Sequence, residues 1–257
     1  MSKTILLIHG VGCGGEVWDR MRQDFDAAGW TSVAPTLFPD LRTPTIPPAA
    51  LADLRLSDYI NVMGDHAREL AEKDGEKPVI MGHSMGGLIA QALAEKGLAS
   101  AAIFLTPAQP EGCTTTDLRT VITFWNILKV GRKKVPGGSY KVGKFGFSRG
   151  VLNLVPKAQH DAIYENALYD SGRVYMDLGE PDAIDETKIT VPTLTIGAQR
   201  DRATVVKAVR MVGKKYEAAA YPGDYLEYAD HAHWIVNEPG SSKVTADIID
   251  WLGKKLG

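Results

Sequence analysis

The sequence predicts an α/β protein: a doubly wound, mostly parallel sheet of about six strands with an inserted helical cap. Two observations lead to this prediction. Short apolar runs, typical of strands buried on both faces, alternate with segments whose apolar residues recur at helical spacing. The chain has 257 residues, with 44% apolar and 23% charged residues, which is ordinary for a globular protein with a substantial core.

The first elements are predicted from apolar spacing and from glycine and proline positions. They are a strand at residues 3–9, a helix at 16–28, a short strand at 31–35, a proline-rich surface loop at 36–56 and a helix at 57–73. A strand at 78–81, a helix at 85–94 and a strand at 99–106 follow. Because each strand is separated from the next by a helix or a long loop, parallel pairing is expected.

The segment 112–186 interrupts this alternation, with helix-like stretches at 117–130 and 158–176. It is too long for a simple crossover, so we predict a cap inserted into a core made of residues 1–111 and 187–257. The remaining predictions are a strand at 191–197, a helix at 204–212, a strand at 217–221 and a closing helix at 241–256.

Residues 82–87 read Gly-His-Ser-Met-Gly-Gly, between a predicted strand and a predicted helix. This is the pattern of a nucleophile elbow, a sharp turn that exposes a serine hydroxyl at the end of a strand. Such a turn brings the residues two before and two after the serine close together, and glycine at both positions satisfies that requirement. Ser84 is therefore the predicted nucleophile.

A serine nucleophile needs a base and an acid that orients the base. In this fold the acid and the histidine follow the serine in that order. Asp201, just after the strand at 191–197, is the predicted acid, with Asp230 and Glu111 in reserve. The alternative for Asp201 is a helix N-cap or a surface ion pair with a flanking arginine. His231 and His233 both follow the last predicted strand and are candidate bases, whereas His160 lies in the cap and is predicted to be a surface residue.

A glycine-rich loop, His-Gly-Val-Gly-Cys-Gly-Gly at residues 9–15, follows the first strand. Its glycines allow backbone amides to turn inward, where they could stabilise an oxyanion. A phosphate-binding loop is the alternative. Neither the dinucleotide-binding spacing with a downstream acid nor a Gly-x-x-x-x-Gly-Lys motif is present, which argues against it.

The predicted cap contains a basic stretch, residues 118–160, with nine lysines and arginines and no acid. A solvated surface, a site for an anionic substrate and a lipid-facing surface are the alternatives. Phe124 and Trp125 are candidates for the apolar wall of a substrate pocket, or they pack the cap onto the core.

Other properties exclude whole classes of function. The net charge of −2 argues against a general nucleic-acid binder, and no apolar run approaches the ~18 residues of a membrane span. Two cysteines form no disulfide framework and no metal-ligand spacing, so no metal or cofactor is expected. The N-terminal residues lack a signal-peptide pattern, and a cytoplasmic location is therefore expected.

These motifs together resemble the α/β-hydrolase superfamily over most of the chain. Residues 9–18 are similar to the opening of bacterial esterases and of the plant methylesterase and hydroxynitrile-lyase group, although Cys13 stands where plant relatives often carry histidine. Residues 233–239 resemble the superfamily's histidine loop, which favours His233 over His231. The resemblance also implies that the amides of Val11 and Met85 form the oxyanion hole. Residues 169–173 resemble a Glu-Ser-Gly-Arg stretch of some bacterial members, and the resemblance implies no role for these residues.

The predicted function is cleavage of a small carboxylic ester, as in esterases and lipases, through an acyl-enzyme on Ser84. Serine at this position argues against epoxide hydrolases and haloalkane dehalogenases, which use aspartate. Lactonase, amidase, thioesterase and carbon–carbon bond hydrolase activities share the same three residues. A non-catalytic ligand-binding protein with this fold is the alternative from a different class. The sequence does not indicate the oligomeric state.

Overall fold

A computed structural model describes residues 3–257. The strands within this range are β1 (Thr4–Ile8), β2 (Thr31–Val33), β3 (Val79–His83), β4 (Ala101–Leu105), β5 (Ser139–Tyr140), β6 (Asp170–Ser171), β7 (Thr193–Ala198) and β8 (Asp224–Tyr228). Six of them form one sheet in the order β2-β1-β3-β4-β7-β8, and every neighbouring pair is parallel. The predicted parallel α/β sheet of about six strands is confirmed.

The helices of the described residues cover both faces of this sheet. They are α1 (Asp19–Ala27), α2 (Leu56–Asp74), α3 (Met85–Glu95), α4 (Leu118–Thr123), α5 (Trp125–Leu128), α6 (Lys144–Gly146), α7 (Lys157–Asn166), α8 (Gly172–Gly179), α9 (Val206–Glu217) and α10 (Ser241–Leu256). Side chains of a strand alternate between faces, so Ile5 and Leu7 join one buried cluster and Leu6 and Ile8 the other. The first cluster includes residues of α1 and α10, and the second includes residues of α2, α3 and α9.

The last strand lies further along the chain than predicted. Residues 217–221 contain the end of α9 and a bend, and the strand is β8 (Asp224–Tyr228). Val209, Val212 and Tyr216 are buried at helical spacing, which carries α9 past the predicted end at residue 212. Because β8 is a half-exposed edge strand with acidic residues, it lacks the apolar run that marks the central strands.

The inserted segment, residues 112–186, contains α4 to α8 and the short antiparallel pair β5–β6. Each predicted helix is interrupted: the first breaks at Phe124, and the second ends at Asn166 before β6 begins at Asp170. The cause of the second break is tertiary, since Asp170 is fully buried in an ion pair with Arg42. A side chain at Gly172 would overlap the Val135 carbonyl, so the backbone at this point is held closely by its neighbour.

The prediction of a surface position for His160 is wrong. Its ring is buried, with Nδ1 2.7 Å from Ser148 Oγ and Nε2 2.9 Å from the Val155 carbonyl oxygen. Each ring nitrogen therefore has a hydrogen-bond partner within the inserted segment, so burial of the imidazole leaves no polar atom of the ring unpaired. Among the described residues, no helix combines the length and the apolarity that crossing a bilayer requires.

Candidate active site

Ser84 occupies the sharp turn between β3 and α3. Its φ of 56° and ψ of −119° form a strained conformation that a residue with a side chain rarely adopts. Two backbone hydrogen bonds join the turn to β4 and the residues after it: the Ser84 amide donates to the Leu105 carbonyl at 3.1 Å, and its carbonyl accepts from the Ala108 amide at 2.7 Å. The predicted strand-turn-helix context of Ser84 is therefore present.

The glycines around Ser84 are required by close backbone approach. A Cβ at Gly82 would overlap the carbonyl of Gly86, and one at Gly86 would overlap the carbonyl of Ile8. A Cβ at Gly10 would lie 2.9 Å from Ser84 Cβ. Side chains at these positions would push the turn apart, so glycine is the residue that permits the geometry.

His233 lies between Ser84 and Asp201. Its Nε2 is 3.1 Å from Ser84 Oγ, and its Nδ1 is 2.8 Å from Asp201 Oδ2. The carboxylate accepts a hydrogen bond from Nδ1–H, which leaves the Nε2 lone pair directed at the serine hydroxyl. All three side chains are buried. Sequence positions far apart are thus joined in one line of hydrogen bonds.

Asp201 uses both of its oxygens. Oδ1 accepts from the backbone amides of Ala203 and Thr204 at 2.7 and 2.9 Å, while Oδ2 accepts from the Thr204 hydroxyl at 2.9 Å and faces His233. Asp201 does not cap a helix, since α9 begins only after Val205, and its full burial excludes a surface ion pair. Its carboxylate instead holds the turn at residues 201–204 and contacts His233. These donors orient the carboxylate and stabilise its charge.

The other candidate residues lie elsewhere. His231 Nδ1 is 2.9 Å from Glu238 Oε1, and the Nε2 edge of its ring faces Gly240. The reserve acids Asp230 and Glu111 are exposed. Of the two histidines that the motifs left open, His233 is the one that reaches Ser84.

His83 supports the histidine loop and was not predicted. Its Nε2 donates to the His233 carbonyl at 2.8 Å, and the two ring centroids are 4.8 Å apart. Burial, and then the nearby His233, lower the pKa of His83 well below its usual value. A neutral His83 can therefore hold the loop without placing a second positive charge beside His233. The sequence places His83 directly before Ser84, but this position does not indicate which group the His83 side chain would contact.

A buried polar network holds the glycine-rich loop against the inserted segment. Asp170 Oδ2 accepts from the Gly12 amide at 2.6 Å, and Asp170 Oδ1 accepts from Arg42 Nε at 2.6 Å. His9 Nε2 accepts from the Leu37 amide at 3.0 Å, and burial beside Arg42 lowers the pKa of His9 to about 3. The network anchors the residue next to Val11, and it gives a structural role to the stretch at 169–173.

A cavity of about 240 Å³ opens beside Ser84. Val11 and Met85 line it, together with residues of the inserted segment: Thr120, Val121, Phe124, Ile127, Leu128, Arg132, Val135, Tyr175, Met176, Leu178 and Gly179. Phe124 thus lies where it was predicted, whereas Trp125 is absent from the lining and 58% exposed. The prediction for Trp125 is wrong because α5 turns its side chain to the surface.

The basic stretch contributes little charge to this cavity. Within the described residues, Arg132 is the one cation of residues 118–160 that lines it, and Arg132 pairs with Glu180. Lys144, Arg149 and Lys157 instead line a separate surface depression of about 640 Å³ that does not include Ser84. A group of three or more His, Cys, Asp or Glu side chains placed to bind a metal ion is not found in residues 3–257.

Comparison with known proteins agrees with this architecture. A family model described as "Alpha/beta hydrolase family" matches residues 5–241, and the chain therefore belongs to that family. A comparison with curated proteins gives no match.

Solved structures share the fold at low identity. Polyneuridine aldehyde esterase is 16% identical with a TM-score of 0.69, and the alignment covers 96% of this chain and 99% of that one. Tomato methylketone synthase I, complexed with 2-tridecanone, is 16% identical with a TM-score of 0.72 and 99% coverage of both chains. A monoacylglycerol lipase of Paleococcus ferrophilus is 20% identical with a TM-score of 0.69 and coverage of 97% and 93%.

Proposed function

We propose that this protein is a serine hydrolase that cleaves small carboxylic esters through an acyl-enzyme on Ser84. One observation carries the proposal: His233 Nε2 lies 3.1 Å from Ser84 Oγ while its Nδ1 lies 2.8 Å from Asp201. A hydroxyl that faces the free nitrogen of a carboxylate-oriented imidazole is the arrangement that activates serine as a nucleophile.

The first half of the reaction forms the acyl-enzyme. His233 Nε2 takes the proton of Ser84 Oγ as Oγ bonds to the ester carbonyl carbon, and the carbonyl π electrons move to its oxygen. When the oxyanion collapses, the bond to the alcohol oxygen breaks and this oxygen takes the proton from His233. Asp201 stabilises the imidazolium throughout and keeps its own charge.

The second half releases the acid. Water gives a proton to His233 Nε2 and attacks the acyl carbon, and the second oxyanion collapses with the loss of Ser84 Oγ, which recovers the proton. The same imidazole therefore acts as base and then as acid in each half.

The amides of Val11 and Met85 are the proposed oxyanion donors. Both residues line the cavity beside Ser84, and Met85 begins α3, whose first amides are not used by the helix itself. Asp170 holds the Gly12 amide, which supports the conformation of the loop around Val11. Loss of one such donor costs about 3 kcal/mol of transition-state stabilisation in other hydrolases.

The inserted segment is the proposed cap, since much of the cavity wall comes from it. A volume of about 240 Å³ lies below the ~300–1,000 Å³ typical of small-molecule sites. We therefore expect short or medium acyl and alcohol groups to bind better than long ones. The esterase and lipase among the similar folds support ester cleavage, but the same three residues also serve amides, lactones and carbon–carbon bonds.

A panel of p-nitrophenyl esters from acetate to dodecanoate tests the proposal. We expect hydrolysis that is highest for short and medium chains and that is lost in Ser84→Ala. A fluorophosphonate probe should label the wild type at Ser84. Turnover of amides or lactones with no turnover of esters would move the activity to one of those classes, and ligand binding without turnover would indicate a non-catalytic protein.

The chain provides a matched control for the labelling experiment. Ser148 Oγ lies 2.7 Å from His160 Nδ1, but the other nitrogen of His160 faces the Val155 carbonyl rather than a carboxylate. This serine–histidine pair lacks the acid, so Ser148→Ala should retain both labelling and turnover. Labelling that persists in Ser84→Ala would contradict the assignment of the nucleophile.

A further inference from the structure

Three large apolar side chains of the inserted segment are exposed on one short stretch of helix. Leu118 in α4 is 73% exposed, and Trp125 and Leu128 in α5 are 58% and 53% exposed. They are three of the seven large apolar side chains that are exposed within residues 3–257. Single exposed apolar residues are ordinary, but several in one place are typical of a surface that binds a partner.

The helical spacing of α4 and α5 separates an inner face from an outer face. Val121, Phe124 and Leu128 recur at intervals of three and four residues and line the cavity beside Ser84. Amides of Phe124 and Leu128 donate to the carbonyls four residues before them, so the helical geometry continues across the break. Leu118 and Trp125, two turns apart, lie outside the cavity lining. Leu128 is both exposed and part of the lining, so the outer face meets the cavity at its rim.

Basic side chains follow this outer face directly. Lys129, Arg132, Lys133 and Lys134 are all exposed. Arg132 lines the cavity and pairs with Glu180, whereas the three lysines form no ion pair with the described residues. The whole chain has a net charge of −2, so the positive charge is a local feature of this surface.

The composition of the surface distinguishes between its alternative occupants. Lysine is depleted at protein–protein interfaces. Surfaces that bind anionic membranes instead combine tryptophan and leucine with lysine and arginine beside them. The apolar side chains enter the layer of lipid headgroups, while the lysine amines reach the lipid phosphates. An anionic bilayer therefore complements this surface in both polarity and charge.

We propose that this outer face, the docking surface, binds an anionic lipid bilayer and presents the mouth of the cavity to it. Its residues are Leu118, Trp125, Leu128, Lys129, Lys133 and Lys134. Presentation of the cavity rests on the proposed function and narrows it: the preferred substrates are apolar esters that partition into the bilayer and enter past Leu128. The docking surface itself takes no part in the chemistry.

Cosedimentation with lipid vesicles tests the binding without depending on hydrolysis. The Ser84→Ala protein is mixed with phosphatidylcholine vesicles that contain phosphatidylglycerol or lack it. A lysine beside an anionic membrane strengthens binding about five-fold, so three lysines should give about 100-fold tighter binding to the anionic vesicles. Salt at about 0.5 M should remove most of this difference, because it screens the charges. Equal binding to both kinds of vesicle, or none to either, would overturn the docking surface.

One pair of variants tests the charged part of the docking surface. Lys133→Ala combined with Lys134→Ala should weaken binding to anionic vesicles about 25-fold. The matched control is Lys214→Ala combined with Lys254→Ala, which makes the same change of charge at exposed lysines outside the inserted segment. The control pair should bind within about two-fold of the parent protein. An equal loss in both pairs would indicate a general attraction and contradict the proposal.

A second pair of variants tests the apolar part. Trp125→Ala should weaken vesicle binding about ten-fold, because a large side chain no longer leaves water. Leu226→Ala, an exposed apolar residue of the edge strand β8, should change binding by less than about two-fold. If Trp125→Ala abolishes a dimer of the protein and vesicles are not bound, the occupant is a second copy and the bilayer is excluded.

Hydrolysis tests whether the cavity mouth faces the membrane. In the wild type, anionic vesicles should raise kcat/KM at least about five-fold for p-nitrophenyl octanoate, which partitions into lipid, but not for p-nitrophenyl acetate. Trp125→Ala should lose this stimulation and keep turnover of the acetate, because Trp125 is absent from the cavity lining. Vesicle binding without stimulation would overturn the presentation of the cavity. Vesicle binding with no hydrolysis of any ester would instead overturn the proposed function and leave the docking surface in place.

Discussion

Two histidines, separated by a single residue, form almost the same pair with a carboxylate. His233 Nδ1 lies 2.8 Å from Asp201, and His231 Nδ1 lies 2.9 Å from Glu238. Both rings are buried. The pairs differ at the other nitrogen, which faces the Ser84 hydroxyl in His233 and Gly240 in His231.

The difference teaches that a buried histidine–carboxylate pair can hold a loop as well as face a hydroxyl. Glu238 Oε1 also accepts from the Ala232 amide at 2.6 Å, so the His231 pair braces the loop between β8 and α10. The Arg200 amide donates to the His231 carbonyl at 3.0 Å, which ties this loop to the one that carries Asp201. The first pair faces Ser84, the proposed nucleophile, and the second holds the backbone that positions the first.

The largest expected effect comes from removing His233, the proposed base. His233→Ala should lower kcat for a short p-nitrophenyl ester by at least about 10⁴-fold, because no other group can accept the Ser84 proton. Steady-state kinetics on folded protein, verified by circular dichroism, measure it. The matched variant His231→Ala should retain activity within about ten-fold. Losses in the reverse order would exchange the roles of the two histidines.

The next largest difference in kcat between the two pairs is expected when their carboxylates are replaced by amides. Asp201→Asn should lower kcat by up to about 10⁴-fold, because the amide can hold the imidazole in the wrong tautomer. Glu238→Gln keeps the size of the side chain and an acceptor oxygen for His231, so kcat should stay within a few-fold. A pre-steady-state burst with p-nitrophenyl acetate distinguishes slow acylation from loss of folded sites. Near-normal acylation in Asp201→Asn would contradict the role of the acid.

We expect the two histidine variants to rank in the opposite order when their losses of unfolding free energy are compared. His231→Ala leaves a buried carboxylate without its partner, which costs about 3 kcal/mol of unfolding free energy. His233→Ala should cost less, because Thr204 and two backbone amides still satisfy Asp201. Urea unfolding monitored by fluorescence measures both values. A greater loss of stability in His233→Ala would show that its pair is the main brace.

The smallest effect on the two pairs is expected from His9, a buried histidine without a carboxylate partner, whose contribution is a dependence of stability on pH. The pKa of His9 is lowered to about 3, below its usual 6.5, so the unfolded chain binds more protons. His9 therefore contributes stability that is present above pH 6.5 and is lost as pH falls towards 3. The slope is at most about 1.4 kcal/mol per pH unit. Urea unfolding between pH 4 and 6 should show a shallower slope in His9→Gln, and an unchanged slope would contradict this assignment.

The fold and the sharp turn that carries Ser84 could be predicted from local sequence. Central strands such as β3 and β4 are buried on both faces and therefore read as continuous apolar runs. The turn at Ser84 needs glycine at 82 and 86 for steric reasons that operate within a few residues. The edge strand β8 was mislocated and the breaks in the helices of the inserted segment were not predicted, because neighbouring elements rather than local spacing set these features.

The sequence by itself determined the sheet, the elbow and a short set of candidate acids and bases, since each depends on local spacing and sterics. Tertiary structure decided which histidine faces Ser84, that Asp201 both caps a turn and contacts His233, and that Asp170 reaches Arg42 across the chain. The physical reason is that these properties depend on which atoms meet from distant positions, and neither composition nor periodicity encodes the direction of a single polar atom.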